Sequence, residues 1–363
     1  MTSDLITIFA FEIILLSLFY SLQLKAFRKF SNNAAIEKDP KTPGISVVIA
    51  VKNEESNILT TVNSIQLNHY PATSYEILII NDYSSDSTPA ILRKLAGTQS
   101  NLAVLDNVMS PGKRNALSTG IEAARYDYIV ITDGDCLPEK KWLESYAMKF
   151  SEGFDFIIGV APFLEPSIFI EKIAAYENFK TGLLTLTTLS LDKPHTAAAR
   201  NLGFSKTAFN ICGGYENTKE TLSGDDDLLL REFQKKKMKI GFLGFGENRV
   251  FSKAKSNFRE YLDQKARHTS TSFHYLSRHK VFLAIWHTPQ IFFSLSFLLA
   301  FMSPWLFLLT LIKTIYDYLL ISRLSDKYSY KFSFFEKISL PFIYEFLLVV
   351  NILRSLRSPV KWK

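Results

Sequence analysis

The fold is decided by one stretch, Tyr128-Ile-Val-Ile-Thr-Asp-Gly-Asp-Cys136. Its apolar and β-branched residues predict a buried strand, and that strand stops at Asp133-Gly134-Asp135. Two like charges this close need a cation to balance them, and a hard divalent ion with oxygen ligands can be shared with the phosphates of a substrate. An Asp-Gly turn that only ends a strand explains the same residues. The stretch by itself therefore leaves a metal site and a plain turn as equal alternatives.

Further strands and helices alternate on both sides of this stretch. The expected strands are residues 45–51, 75–80, 101–105, 128–132 and 155–161, and the expected helices are residues 54–66, 88–96 and 113–124. The first strands are short, continuous, β-branched runs, which is the pattern of strands covered on both faces. The alternation predicts an α/β fold with a parallel, doubly wound sheet.

Polar residues follow three of these strands. Asn53, Asp82 and Asp133 lie at the expected carboxyl ends, where doubly wound sheets bind their ligands, so we expect them to converge on one crevice. A later acidic run, residues 225–227, begins a helix. The helix dipole favours acids at that place, but three in succession repel one another more than capping requires.

Composition and charge limit the classes of function. The 363 residues are 47% hydrophobic and carry a formal net charge of +7. Many lysines and arginines adjoin apolar segments, so the basic charge favours a membrane surface over nucleic acid as the partner. The two cysteines, Cys136 and Cys212, lie far apart without the spacing of metal ligands, which indicates a reducing compartment rather than a disulfide scaffold.

Apolar segments at both ends predict a membrane protein. Residues 5–24 are long enough to cross a bilayer, and no cleavage site follows them, which favours an anchor over a signal peptide. The positive-inside rule places residue 25 onward in the cytosol. Residues 281–300, 304–320 and 338–353 are further candidates. Three crossings would leave the basic C-terminal residues outside, so we favour two crossings with an interfacial or re-entrant segment.

Several motifs occur in an order that is typical of a known family. They are Val51-Lys-Asn-Glu-Glu55, Asn81-Asp-Tyr-Ser-Ser-Asp-Ser-Thr88, Gly112-Lys-Arg-Asn-Ala116, Asp133-Gly-Asp135, Gly224-Asp-Asp226 and Gln264-Lys-Ala-Arg267-His268. Over residues 45–270 the chain resembles glycosyltransferase family 2, the inverting enzymes with a GT-A fold. Its motifs and flanking segments are similar to those of membrane-embedded members such as hyaluronan synthase, cellulose synthase and ceramide glucosyltransferase. The resemblance implies a Rossmann-like nucleotide-binding sheet flanked by transmembrane helices.

The resemblance also implies an NDP-sugar donor, a Mn²⁺ or Mg²⁺ cofactor and a role for each motif. It makes Asp226 the general base and Asp135 the metal ligand. It assigns the donor nucleotide to Asn53, Glu54, Asp82, Lys113 and Asp133, and the diphosphate or the acceptor to Asp225, Gln264, Arg267 and His268. Asp226 is selected by aligning Gly224-Asp-Asp with the Gly-Asp-Asp of hyaluronan synthase. Without the resemblance, Asp225, Asp226 and Asp227 are equal candidates for the general base.

Two positions depart from the family pattern. Asn81 stands where members often carry Asp, and His268 stands where the synthases carry Trp. Histidine is smaller than tryptophan at a position that helps to form the acceptor site, and few membrane segments are available to build a polysaccharide channel. We therefore expect one transfer to a lipid, lipid-linked or saccharide acceptor, with processive polysaccharide synthesis as the alternative.

The expected organisation has six segments. They are a transmembrane anchor (1–26), a linker (27–44), a cytosolic GT-A catalytic domain (45–256), an interfacial segment (257–280), C-terminal membrane segments (281–356) and a basic tail (357–363). We expect a multi-pass protein of the inner, cytoplasmic membrane.

Two other classes of function predict different residues. A nucleotidyltransferase would carry a glycine-rich basic loop after the first strand, where this chain has Lys52-Asn-Glu-Glu. An inactive membrane scaffold built on a transferase fold would have lost acidic positions, whereas Asp82, Asp133, Asp135 and Asp226 are all present.

Overall fold

The computed structural model describes residues 3–31, 42–97, 99–221, 223–298, 301 and 304–356. The predicted basic tail and the middle of the predicted linker lie outside these residues. The strands are β1 (Ile45–Val51), β2 (Tyr75–Asn81), β3 (Leu102–Asp106), β4 (Tyr128–Ile131), β5 (Leu137–Pro138), β6 (Phe156–Ile158), β7 (Leu202–Ser205), β8 (Ile240–Phe242) and β9 (Val250–Phe251). The helices are α1 (Ser3–Ser31), α2 (Ile58–Gln66), α3 (Thr88–Leu95), α4 (Lys113–Ala123), α5 (Trp142–Ser151), α6 (Phe169–Ser190), α7 (Lys206–Ile211), α8 (Asp227–Lys235), α9 (Phe258–Thr271), α10 (Ser277–Leu298), α11 (Pro304–Leu324) and α12 (Phe334–Ser355).

The predicted α/β sheet is confirmed, with one strand running against the others. Seven strands form a sheet in the order β3-β2-β1-β4-β7-β6-β8. The pairs β3·β2, β2·β1, β1·β4 and β6·β8 are parallel, whereas β7 is antiparallel to both β4 and β6. The prediction of an entirely parallel sheet is therefore wrong at β7. The chain returns to the sheet at the carboxyl edge of β4 and β6, so β7 has to run back from that edge.

Both faces of the sheet are covered, which explains the continuous apolar runs. In β1, Val47 and Ile49 belong to a core on one face, and Val48 belongs to a second core on the other face. All three side chains are fully buried. Burial on both faces requires apolar residues at successive positions rather than at alternate ones.

The chain divides into two compact units. Among the described residues, the sheet unit lies within the ranges 30–164 and 195–253, and the helical unit lies within the ranges 3–29, 165–194 and 254–356. All nine strands and the helices α2–α5, α7 and α8 belong to the sheet unit. The helical unit contains nearly all of α1 together with α6 and α9–α12.

Within the described residues, four helical stretches are long and apolar enough to cross a membrane. They are Ala10–Ser31, Ser277–Leu298, Pro304–Tyr328 and Phe334–Ser355. The first overlaps the predicted anchor (1–26), which stays a prediction. The other three each have the length and composition of a span, whereas the positive-inside rule favours two C-terminal crossings. The number of crossings stays a prediction.

Ionisable side chains are paired inside the helical unit. Lys313 Nζ lies 2.6 Å from Asp317 Oδ2, and both side chains are almost fully buried in α11. Asp317 also accepts a hydrogen bond from the Tyr20 hydroxyl of α1 and lies 3.7 Å from Lys180 Nζ of α6. Buried charges in apolar helices require such partners, so these contacts tie α1, α6 and α11 together.

Candidate active site

The end of β1 is joined to the loop after β2 by Asn53. This residue has φ +56°, its backbone N–H donates to Ser84 Oγ at 3.1 Å, and its Oδ1 accepts from the Ser85 N–H at 2.8 Å. The Glu54 N–H donates to Thr88 Oγ1 at 2.8 Å. These bonds fix Asn53 and Glu54 to the loop after β2, and α2 begins at Ile58 and not at Glu54 as predicted.

Asp82 directly follows β2 and fixes the segment that leads into α4. Its side chain is 2% exposed and accepts hydrogen bonds from Asn107 Nδ2 at 2.7 Å and from the Gly112 N–H at 3.0 Å. Gly112 has φ +147°, a conformation that a side chain disfavours. Asp82 thereby fixes the residue before Lys113. The predicted contact of Asp82 with the base or ribose of a nucleotide stays a prediction.

We expect Asp82→Ala to lower the free energy of unfolding by about 1–3 kcal/mol, since a buried donor of Asn107 and a half-buried donor of Gly112 lose their acceptor. The displaced loop should also raise the KM for the donor. The melting temperature of the detergent-solubilised chain and initial-rate kinetics measure the two effects. Asp106→Ala is the matched control, because this exposed carboxylate ends the neighbouring β3. Equal melting temperatures for wild type and Asp82→Ala would contradict this role.

Lys113 joins the two acidic motifs. Its Nζ lies 2.7 Å from Asp133 Oδ1 and 3.2 Å from Asp225 Oδ2, and its side chain is 15% exposed. Burial lowers the pKa of Lys113, but the two carboxylates outweigh burial and raise the pKa above its ordinary value. The ammonium therefore stays charged at the first turn of α4, between the turn after β4 and the start of α8.

The turn after β4 packs directly on the end of β1. A Cβ at Gly134 would lie 2.8 Å from Val51 Cγ1, and the Gly134 carbonyl accepts from Thr61 Oγ1 at 2.8 Å. Glycine is therefore required here for the close approach of the turn to the end of β1. Asp133 is half-buried and Asp135 is exposed, so both carboxylates border the same turn.

The donor groups of this turn suit a hard divalent cation. Oxygen or sulfur atoms of Asp133, Asp135 and Cys136 all lie within 4.8 Å of one another. Cys136 is fully buried, and burial, reinforced by both aspartates, raises the pKa of its thiol well above the usual value. A protonated thiol is a poor ligand, so the two carboxylates are the available donors. Oxygen donors suit Mg²⁺ and Mn²⁺.

The three acids at the start of α8 have different partners. Asp225 pairs with Lys113. Asp226 accepts from the N–H groups of Ala199 at 2.9 Å and Asp227 at 2.8 Å, and Asp227 accepts from the Ala197 N–H at 3.0 Å. The segment before β7 therefore holds two of the acids in place through its backbone.

These partners separate the proton affinities of Asp225 and Asp226. Burial raises the pKa of Asp225, but Lys113 and Arg114 overcome it and leave the pKa below its ordinary value. Burial and the neighbouring Asp227 and Asp225 hold the pKa of Asp226 well above that value. Asp226 is consequently the stronger base of the two.

Several contributors to this site were not predicted from the sequence. Arg114 donates to the carbonyls of Thr221, at 2.6 Å, and Ser223, and so positions the loop that leads to Asp225. Arg114 belongs to the motif Gly112-Lys-Arg-Asn-Ala116, in which the family resemblance assigns a role to Lys113. The backbone donors of Ala197 and Ala199 carry no side-chain signal that a sequence pattern could reveal.

Gln264, Arg267 and His268 lie on α9 in the helical unit. Gln264 and Arg267 are half-buried and His268 is exposed, and Arg267 Nη2 lies 3.3 Å from His268 Nε2. Their roles toward the diphosphate and the acceptor stay predictions.

Comparison with known proteins gives one family match. Residues 46–201 match the sequence model of Glycosyl transferase family 2. Glycosyltransferase AglE of Haloferax volcanii is 34% identical over 185 residues, which cover 51% of this chain and 59% of that protein. Beta-monoglucosyldiacylglycerol synthase of Trichormus variabilis is 27% identical, over 54% of this chain and 42% of that protein. The chain thus spans about half the length of these relatives.

A solved structure has the same fold. It is that of the mannosyltransferase PcManGT from Pyrobaculum calidifontis, in complex with GDP-Man and Mn²⁺. Its TM-score is 0.59 at 14% identity, and the likeness covers 96% of this chain and 99% of that chain. At this identity the comparison concerns the fold.

Proposed function

We propose that this glycosyltransferase, a chain with a glycosyltransferase family 2 domain, moves one sugar from a nucleoside-diphosphate sugar to a lipid or lipid-linked acceptor at the inner, cytoplasmic membrane, with the sheet unit in the cytosol. The observation that carries the proposal is the position of Lys113. It forms ion pairs with Asp133 of the turn and with Asp225, which precedes the base candidate Asp226. This arrangement brings a cation, the turn proposed to hold the metal ion and the proposed base to one edge of the sheet.

The donor side of the proposal rests on the turn after β4. Asp135 would hold Mn²⁺ or Mg²⁺, with Asp133 beside it, and Lys113 would face the diphosphate. A bound divalent ion would neutralise the charge that grows on the leaving diphosphate. Asn53, Glu54 and Asp82 are proposed to line the nucleotide pocket. PcManGT was solved with GDP-Man and Mn²⁺ bound, which supports the same class of donor here.

Asp226 is proposed to accept the proton of the acceptor hydroxyl. As the O–H bond breaks, the acceptor oxygen forms a bond to the anomeric carbon, and the electron pair of the old glycosidic bond leaves with the diphosphate. Attack from the opposite face inverts the anomeric centre and needs one base. The raised pKa of Asp226 suits this task, because a general base is most effective when its pKa lies near the working pH.

The pH dependence of kcat/KM should report the protonation of Asp226. We expect kcat/KM to fall as the pH falls, because Asp226 gains a proton and can no longer accept one. Since its pKa is raised, the acid limb should lie above the ordinary aspartate value of 3.8. Initial rates across a pH series, at saturating metal ion, measure the limb. A limb at or below that ordinary value would contradict the assignment.

The acceptor is proposed from the membrane character of the chain. The four apolar helices would keep the sheet unit beside lipid acceptors, and a relative is named for a glucosyldiacylglycerol product. Lipid extraction of the reaction separates a glycolipid from the polymer that a processive synthase would leave behind.

Release of nucleoside diphosphate tests the reaction class. Each turnover should release one nucleoside diphosphate, which a coupled enzymatic assay detects. A nucleotidyltransferase would release pyrophosphate instead, and an inactive scaffold would release neither. Pyrophosphate as the only released product would overturn the proposal.

A further inference from the structure

Arg200 begins the approach to β7 at the edge of the sheet that carries the site. Leu202 pairs with Ile131 of β4 on one side and with Ile158 of β6 on the other. Because β7 is antiparallel to both strands, its first residues lie where β4 and β6 end. Arg200 therefore occupies the carboxyl edge, close to the turn that begins at Asp133.

The guanidinium of Arg200 is held firmly but is not neutralised. Its Cζ lies 4.9 Å from the centroid of the Phe163 ring, and its Nη2 donates to the Ala161 carbonyl. Its Nε is buried and has no hydrogen-bond partner in the described part of the chain. No carboxylate pairs with Arg200 among the described residues, whereas Arg231 and Arg249 pair with glutamates.

The register of β7 places the Arg200 backbone opposite the turn after β4. Leu202 pairs with Ile131, and Arg200 precedes Leu202 by as many residues as Asp133 follows Ile131. The backbone supports the same location, since the preceding residue, Ala199, donates its N–H to Asp226. Arg200 thus adjoins the turn through the register of β7 and follows the residue that donates to the base candidate. A half-buried cation that pairs with no carboxylate among the described residues favours an anionic ligand at that place.

We infer that Arg200 binds a phosphate oxygen at this edge of the site, a contact that rests on the proposed function and adds a residue to it. The geometry favours the donor's diphosphate, because Arg200 adjoins the turn proposed to hold the metal ion. A phosphate on the acceptor lipid is the other source of the same chemistry. The planar guanidinium suits phosphate oxygens, and its stabilisation grows as charge develops on the leaving group.

Nucleotide binding tests the inference without turnover. Purified full chain in detergent is titrated with UDP and with GDP, each with MnCl₂, and calorimetry follows the nucleotide that binds the wild type. Arg200→Ala should weaken that binding about tenfold to a hundredfold, which is the range for a lost hydrogen bond to a charged group. Arg200→Lys should recover part of the loss, and binding of the uncharged nucleoside should not change.

Two further variants separate binding from folding. Arg200→Gln can keep a donor for the Ala161 carbonyl, so a wild-type melting temperature with weakened binding would support the inference. Arg125→Ala is the matched control, because this exposed arginine precedes β4 at the opposite edge and its guanidinium lies over the Tyr126 ring.

The outcomes distinguish the two sources of phosphate. Weaker nucleotide binding assigns Arg200 to the donor, and unchanged nucleotide binding with a raised KM for a phosphorylated acceptor lipid assigns it to the acceptor. Wild-type values for both in Arg200→Ala would overturn the inference. Failure of the wild type to bind any nucleoside diphosphate would instead refute the proposed function.

Discussion

Asp226→Asn is expected to abolish sugar transfer while leaving nucleotide binding nearly intact. The amide cannot accept the proton of the acceptor hydroxyl, and loss of a general base costs about 10²–10⁴-fold in rate. The change is nearly isosteric, and its oxygen can still accept from the Ala199 N–H, to which Asp226 Oδ2 is bonded at 2.9 Å. Single-turnover rates with labelled donor, together with calorimetry of nucleotide binding, measure the two effects separately.

The neighbouring acids provide matched controls for this experiment. Asp225→Asn removes one partner of Lys113, which lies 3.2 Å from Asp225 Oδ2, so we expect weaker donor binding with a smaller loss of kcat. Asp227→Asn can still accept from the Ala197 N–H and leaves Asp226 in place, but it removes a charge that raises the pKa of Asp226. We therefore expect a smaller loss of rate than in Asp226→Asn, with the acid limb moved to lower pH. Loss of transfer in Asp227→Asn, with full activity in Asp226→Asn, would move the base to Asp227.

Asp135→Ala is expected to remove the metal dependence of the reaction together with most of its rate. A divalent ion at a leaving phosphate contributes several kcal/mol to the transition state, so the loss should be on the order of 10³-fold. Asp135 is the exposed carboxylate of the turn, so its removal should leave the fold intact. Titration of Mn²⁺ by electron paramagnetic resonance, with nucleotide present, reports the metal site independently of activity.

Cys136→Ser is the matched control for the metal site. Cys136 lies within the group of possible ligands, but its side chain is fully buried and packs in a core of the sheet unit. We expect Mn²⁺ affinity and rate close to wild type. Full turnover of the wild type in excess chelator would exclude the metal role, and loss of Mn²⁺ binding in Cys136→Ser alone would assign the ligand to the thiol.

The sequence was most informative where local pattern determines structure. The continuous apolar runs of β1, β2 and β4 follow from burial on both faces, and carboxyl ends of parallel strands meet at one edge. For that reason Asn53, Asp82 and Asp133 could be placed at that edge from the sequence alone.

The sequence was least informative where distant segments meet. The reversed direction of β7 depends on where the chain re-enters the sheet, and residues 202–205 carry no sign of it. Asp82 was expected at a nucleotide, and the structure shows in addition that it anchors Gly112. The contact distance of Gly134 to Val51 shows a requirement for glycine that the sequence does not reveal. Such contacts follow from the tertiary fold.

A donor screen tests the central claim most directly. Membranes that contain the wild type or Asp226→Asn are given each common radiolabelled NDP-sugar, with and without chelator, and the label is measured in the lipid extract. We predict that one donor labels extractable lipid with the wild type, and that chelator or Asp226→Asn removes the label. Equal labelling of wild-type and Asp226→Asn membranes by every donor would contradict the account.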